Sequence, residues 1–288
     1  MTDPDAAIES LRSRAQRLET PCGDGHMVWR RWGSGPPVVL LHGGYGSWMH
    51  WVRNIDPLAR DHTVYAPDLP GMGESALPDE PFDGWSVATI VADGLDELIP
   101  APTPIDLVGF SFGGVIGGPI TRLRADRVRS LTIVGAGGHG PDRRPIELLG
   151  SRHLDDPDQR RDIHRANLAR LMFADPANID PMAVQIQVSN VDHGRLATRR
   201  ISRTTILDDT LRDIPVPVTA IFGQLDATSY PSLEDRLGRL RSTVPGITIE
   251  IVPGAGHWVQ YEAAAAFDAV LLDLLARVGQ PSPPVPST

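Results

Sequence analysis

Gly109-Phe110-Ser111-Phe112-Gly113-Gly114, directly after the apolar run Ile105-Asp106-Leu107-Val108, decides the fold. A Gly-Xaa-Ser-Xaa-Gly turn that follows a strand and opens a helix holds its serine on strained backbone, with the hydroxyl exposed above the sheet. A side chain two positions before or after the serine would collide with the neighbouring strand or helix, so small residues are required there. Ser111 is therefore a candidate nucleophile. The same five residues also fit an ordinary turn, because glycine and serine are common in turns.

A serine hydroxyl is a poor nucleophile on its own and needs an imidazole base, which in turn needs an acid to fix its tautomer. Both lie downstream in suitable settings. Pro217-Val218-Thr219-Ala220-Ile221-Phe222-Gly223 reads as a buried parallel strand, and Asp226 follows it on the loop. The alternating strand Ile247-Thr248-Ile249-Glu250-Ile251-Val252 precedes Pro253-Gly254-Ala255-Gly256-His257-Trp258, which places His257 on a glycine-rich loop. Asp208, Asp209 and Asp213 are weaker candidates for the acid, since they precede the strand. Two backbone N–H groups are needed for the oxyanion of a tetrahedral intermediate. Phe112, the residue after the nucleophile, supplies one; Gly44, in His42-Gly43-Gly44-Tyr45-Gly46 after the strand Pro37-Val38-Val39-Leu40-Leu41, is the candidate for the other. A flexible turn would explain these glycines nearly as well.

With these residues in place, the chain resembles the α/β-hydrolase superfamily from roughly Val28 to Leu275. The segments carrying the likeness are LLHGG, APDLPGMGES (Ala66 to Ser75), GFSFGG, ADRVRSLTIVG (to Gly135) and GAGHW, in that order. The resemblance implies an α/β fold: a mostly parallel eight-stranded sheet flanked by helices, with a helical cap inserted between strands 6 and 7. It also implies a Ser111-His257-Asp226 triad working without cofactor or metal. His42 is expected to order the Gly44 loop. His257-Trp258-Val259-Gln260-Tyr261-Glu262 and Asn167 to Met172 are similar to segments of the meta-cleavage-product hydrolases, which break C–C bonds. Such enzymes use a cap arginine to bind a carboxylate, and Arg195, Arg199, Arg200 and Arg203 are candidates. Gly-Gly-Tyr-Gly at the oxyanion loop departs from their Gly-Pro-Gly.

Composition agrees with one large core: 288 residues, 41% hydrophobic, with 28 glycines. A net charge of −9 argues against nucleic acid as a partner. The single cysteine, Cys22, excludes an intramolecular disulfide and fits a reducing compartment. Met1 to Asp5 lacks an apolar core segment, and the chain has no apolar run of about 18 residues. A soluble cytoplasmic protein is expected, with a small molecule as partner and no membrane; a homo-oligomer stays open.

Ile8, Leu11, Ala15 and Leu18 predict an amphipathic helix from Pro4 to Leu18, and Asp24-Gly25 predicts a hairpin turn before His26 to Trp32. Strands and helices then alternate, which implies a parallel sheet. Helical stretches at Asp158 to Phe173 and Asp180 to Val191, without strand-like runs, mark a cap over 139–208. The core is expected at 1–138 and 209–278, with a disordered tail at 279–288. His139, His153, His164 and His193 match no zinc spacing and read as surface histidines. Tyr45, Phe110, Asn190 and Trp258 are candidate pocket residues. The resulting expectation is a serine hydrolase of a small apolar ester or lactone; C–C bond hydrolysis, cofactor-free perhydrolysis and ligand reception are the alternatives.

Overall fold

The computed structural model describes residues 3–140 and 146–278. Among these residues, eight strands form one sheet: β1 (Gln16–Cys22), β2 (Gly25–Gly33), β3 (Pro37–Leu41), β4 (Thr63–Pro67), β5 (Ile105–Phe110), β6 (Val128–Val134), β7 (Val218–Gly223) and β8 (Thr248–Val252). Their spatial order is β1-β2-β4-β3-β5-β6-β7-β8. β2 runs antiparallel to both β1 and β4, and all the remaining pairings are parallel. The flanking helices are α1 (Pro4–Arg14), α2 (Ile55–Leu58), α3 (Gly84–Leu98), α4 (Phe112–Leu123), α5 (Pro157–Leu171), α6 (Pro181–His193), α7 (Thr198–Ser202), α8 (Ile206–Leu211), α9 (Leu233–Thr243), α10 (Val259–Glu262) and α11 (Ala264–Val278).

Both faces of the sheet are covered, which is why its central strands read as unbroken apolar runs. Val38, Leu40, Val64, Val108 and Val134 face one core, whereas Val39, Leu41, Leu107, Leu131 and Ile133 face the other. Between β6 and β7 the chain forms α5 to α8, without a strand among the described residues. Asp156 and Asp180 start the two long helices of this insertion: the Asp156 side chain accepts from the Asp158 and Gln159 N–H groups and that of Asp180 from the Ala183 N–H, and Pro157 or Pro181 follows. α1 packs against α6, with Ile8 and Leu11 buried.

Two expected boundaries move. The first helix ends at Arg14, because Ala15 is extended and Leu18 pairs with Trp29 in β1. The helical repeat of Ile8 and Leu11 runs directly into a strand repeat of Leu18, Thr20 and Cys22, so one apolar spacing masks the change of period. The hairpin loop is Gly23-Asp24 and not Asp24-Gly25: Gly23 takes the positive φ, 53°, and Cys22 pairs with Gly25. The tail expected at 279–288 lies outside the described residues.

Packing of α4 on the sheet leaves no room for a side chain at its second residue. A Cβ on Gly113 would stand 2.3 Å from the Leu41 carbonyl oxygen. Gly238, in the exposed middle of α9, would meet nothing within 4 Å. Gly113→Ala is expected to destabilise by about 3 kcal/mol, and Gly238→Ala to stabilise by about 1 kcal/mol through helix propensity. Thermal unfolding checks the opposite signs; a neutral Gly113→Ala would contradict the close contact.

Candidate active site

β5 ends at Phe110 and α4 begins at Phe112, so Ser111 alone makes the turn between them, at φ 50° and ψ −108°. Backbone of this kind in a residue with a β-carbon costs about 1–3 kcal/mol and persists only where its surroundings enforce it. Here they do. A Cβ on Gly109 would lie 2.5 Å from the Gly113 carbonyl oxygen, so strand and helix touch backbone to backbone on either side of the serine. The Ser111 N–H donates to the Val134 carbonyl at 2.8 Å, which ties the turn to β6.

The loops after β7 and β8 bring Asp226 and His257 to the serine. His257 Nδ1 lies 2.9 Å from Asp226 Oδ2, and His257 Nε2 lies 3.1 Å from Ser111 Oγ. An ionised Asp226 makes Nδ1–H the donor and leaves the Nε2 lone pair facing the serine hydroxyl. Burial alone would push the Asp226 carboxyl up, but His257 and the Thr228 hydroxyl and N–H together hold it below the usual carboxylate range. Thr228 donates to Asp226 Oδ1 twice, from its N–H at 2.8 Å and its hydroxyl at 2.7 Å. Gly135, at φ 53°, passes so close that a Cβ would lie 3.0 Å from Asp226 Oδ2 and 3.1 Å from His257 Nδ1. Asp226 and His257 are buried, whereas Ser111, Gly44 and Tyr45 keep part of their surface open.

The loop after β3 is held by two buried imidazoles. His42 Nε2 accepts from the Leu69 N–H at 2.8 Å, which leaves Nδ1–H to donate to the Gly43 carbonyl at 2.7 Å. His50 Nδ1 accepts from the Gly43 N–H at 3.2 Å. In a trans peptide the C=O and N–H point opposite ways, so fixing the Gly43 carbonyl also fixes the direction of the Gly44 N–H. A Cβ on Gly44 would lie 3.7 Å from Phe112 Cβ and 2.6 Å from Thr198 Oγ1 of the insertion. Gly44 and Phe112 are thus neighbours, with Thr198 packed against the loop. The Phe112 N–H, at the first position of α4, has no intrahelical acceptor.

Comparison with known proteins agrees with this frame, since residues 38–270 match the alpha/beta hydrolase family. The chain belongs to that family. It is 28% identical over 255 residues to a 2-hydroxy-6-oxononadienedioate/2-hydroxy-6-oxononatrienedioate hydrolase of Escherichia coli, covering 83% of this chain and 87% of the relative. It is also 28% identical over 253 residues to the dihydrolipoyllysine-residue acetyltransferase component of an acetoin cleaving system from Pseudomonas putida. That match takes in 84% of this chain and spans 64% of the relative's length. Among solved structures, an esterase from Rhodococcus shares the fold at a TM-score of 0.74 and 22% identity, covering 91% of this chain and 99% of that one. A meta-cleavage product hydrolase from Pseudomonas fluorescens does so at 0.74 and 19%, covering 91% and 98%.

In this alpha/beta hydrolase the four expected pocket residues separate. Tyr45 keeps exposed surface and packs on Gly194, whose added Cβ would lie 2.6 Å from the Tyr45 ring. Phe110 and Trp258, the candidate pocket residues beside Ser111 and His257, are fully buried. Phe110 lies 5.0 Å from the His257 ring, and Trp258 stacks 4.3 Å from Tyr261 while its Nε1–H donates to the His50 carbonyl at 3.0 Å. Asn190 is buried as well, with Oδ1 accepting from Ser47 Oγ at 2.6 Å.

The surface reading of the histidines holds for His153 and His193 and fails for His139 and His164. His139 is buried against Asp208, which also takes Arg239 Nε at 2.6 Å; His164 is bonded to Ser151 at 2.9 Å. Asp208 is therefore committed away from His257. Arg195, Arg199, Arg200 and Arg203 are all exposed, and the Arg195 guanidinium donates to the Ser75 carbonyl. Among the described residues no group of three or more His, Cys, Asp or Glu side chains is arranged to hold a metal ion, and no helix is long and apolar enough to cross a membrane. Thr228 and His50 went unread in the sequence; Thr228 carried a usable signal, an Asp-Xaa-Thr turn beside the acid, and His50 carried none.

Burial pulls the His42 pKa down against the opposing effects of Asp68 and the Gly43 carbonyl. It pulls His50 well down, with His42 and His257 adding to the shift. A folded pKa below the unfolded one gives stability that is complete above about pH 6.5 and is lost as the pH falls from there. Each such histidine contributes a slope of up to ~1.4 kcal/mol per pH unit. His50→Gln is therefore expected to flatten the decline of melting temperature between about pH 7 and about pH 5. An unchanged slope would contradict a neutral, buried His50.

Proposed function

We propose that this alpha/beta hydrolase is a serine hydrolase of small, uncharged carbonyl compounds, an ester or a lactone. The observation that carries the reading is the continuous line from Asp226 through His257 to Ser111, at 2.9 and 3.1 Å, ending on a serine held at positive φ. His257 Nε2 takes the Ser111 proton as Oγ attacks the carbonyl carbon. Asp226 holds the imidazole in the required tautomer and stabilises the imidazolium that forms. The Gly44 and Phe112 N–H groups receive the oxyanion, and the His42 bond to the Gly43 carbonyl keeps the Gly44 donor aimed. The imidazolium then protonates the leaving oxygen. Water, deprotonated by His257, attacks the acyl-enzyme and returns the serine.

The ester reading is placed first because it needs no cation at the site, whereas a dienol carboxylate does; of the four candidate arginines Arg195, Arg199, Arg200 and Arg203, all solvent-exposed, Arg195 is already bonded to the Ser75 carbonyl. The E. coli relative, which is named for ring-fission products, keeps C–C hydrolysis as the second reading.

Hydrolysis of p-nitrophenyl esters of increasing chain length tests both. Ester turnover is expected from the native protein, with kcat falling by about 10⁶ in Ser111→Ala and about 10⁴ in Asp226→Asn. Full turnover by Ser111→Ala would overturn the mechanism. Turnover of dienol carboxylates but not of esters would favour the C–C reading, and tight ligand retention without turnover would make the protein a receptor.

A further inference from the structure

The helical insertion and the loop carrying His257 meet at a single carboxylate. Glu262, the last residue of α10, accepts from the Ala174 N–H at 3.1 and 3.0 Å, the Asp175 N–H at 3.0 Å and the Asn178 side-chain amide at 3.2 Å, all from the turn joining α5 to α6. Its Oε2 also accepts from the Gly256 N–H at 2.7 Å, immediately before His257. Around this carboxylate the two segments have no slack. A Cβ on Gly256 would stand 2.5 Å from the Ala174 nitrogen, and the Trp258 N–H donates to the Met172 carbonyl at 2.8 Å. His257 is thus flanked on both sides by backbone that is bonded to, or pressed on, the insertion.

We propose that Glu262 is a positioning residue that sets His257 from the seat of the insertion. The proposal rests on the Ser111-His257-Asp226 reading above. A carboxylate is required because every group facing it is a donor. Glutamine has one acceptor oxygen and an NH2 that would confront either the Gly256 N–H or the Asp175 and Asn178 donors. Releasing Gly256 lets His257 shift, and misplacement of a reacting group by about 1 Å costs on the order of 10²-fold in rate. A neighbouring tie supplies the control. Asp180, capping α6, bonds Arg53 at 2.6 Å and the Tyr261 hydroxyl at 2.7 Å, which fastens the same edge of the insertion without a bond to Gly256.

The test compares Glu262→Gln with Asp180→Asn in the full chain by steady-state ester kinetics and by the far-downfield proton resonance of His257 Nδ1–H. That resonance is assigned by its loss in Asp226→Asn. Glu262→Gln is expected to lower kcat by at least about tenfold with KM changed less than about threefold, and to broaden or shift the His257 resonance. Asp180→Asn is expected to do neither. Equal losses of kcat in both variants, or a loss in Glu262→Gln with the resonance unmoved, would reduce Glu262 to a fastener of the insertion and overturn the proposal. If Glu262→Gln does not fold, Glu262→Asp, which keeps the charge and withdraws it by one methylene, is read in the same way. Fluorophosphonate labelling of Ser111 in the native chain is measured alongside. Its failure would count against the serine reading, while the resonance still decides whether Glu262 places His257.

Discussion

The Leu41 carbonyl oxygen leaves no space for a β-carbon at residue 113, and the Gly113 carbonyl leaves none at residue 109. Through these two contacts, β3, β5 and α4 meet at backbone distance, and the only way to pass from strand to helix is the positive φ of Ser111. Leu41 pairs with Gly109 in parallel register, so the loops leaving β3 and β5 emerge at the same sheet edge. The same parallel direction brings the loops after β7 and β8 to that edge, where open α/β sheets gather their functional groups. Ser111, Gly44, Asp226 and His257 owe their proximity to strand direction. Their alignment within that edge is owed to the missing side chains at 109, 113 and 135.

Burial then acts with different results on chemically similar groups. Asp226 is as buried as His42 or His50, yet its charged form is favoured because His257 and two donors from Thr228 outweigh the desolvation. His50 has only a backbone donor at Nδ1 and two further imidazoles nearby, so desolvation goes unopposed. His42 is intermediate: Asp68 and the Gly43 carbonyl partly oppose burial. A neutral His42 is what its position requires, since Nε2 must accept from Leu69 while Nδ1–H donates to Gly43. The site thus contains three imidazoles within one aromatic cluster, of which only His257 has a carboxylate partner.

Much of this was readable in the sequence because it follows from local chemistry. The glycines around Ser111 announce close backbone approach, Asp226 follows an apolar run that reads as a buried strand, and His257 follows an alternating run that reads as a half-buried one. What escaped reading depends on which distant elements meet. Phe110 and Trp258 are candidate pocket residues from their places beside a serine and a histidine, and their full burial around the His50 ring is a tertiary fact that local sequence does not carry. His139 and His164 sit in an arginine-rich, polar stretch that reads as solvated; their burial comes from Asp208 and Ser151, neither of which shares a periodic pattern with them. The hairpin and the end of α1 shifted because two spacings overlapped there, and local pattern cannot separate overlapping periods.

The insertion touches the site along two seams. Met172 to Asn178 lies on the histidine loop, and Gly194 to Thr198 lies on the loop of Gly44 and Tyr45. Gly44, Tyr45 and Ser111, which keep part of their surface open, border the second seam, whereas the Glu262 bonds lie in the first. The histidine loop and the loop of Gly44 are therefore held by different segments of one insertion. A side chain between 194 and 198 bears on the Gly44 loop, and the bonds that fix Gly256 do not pass through it.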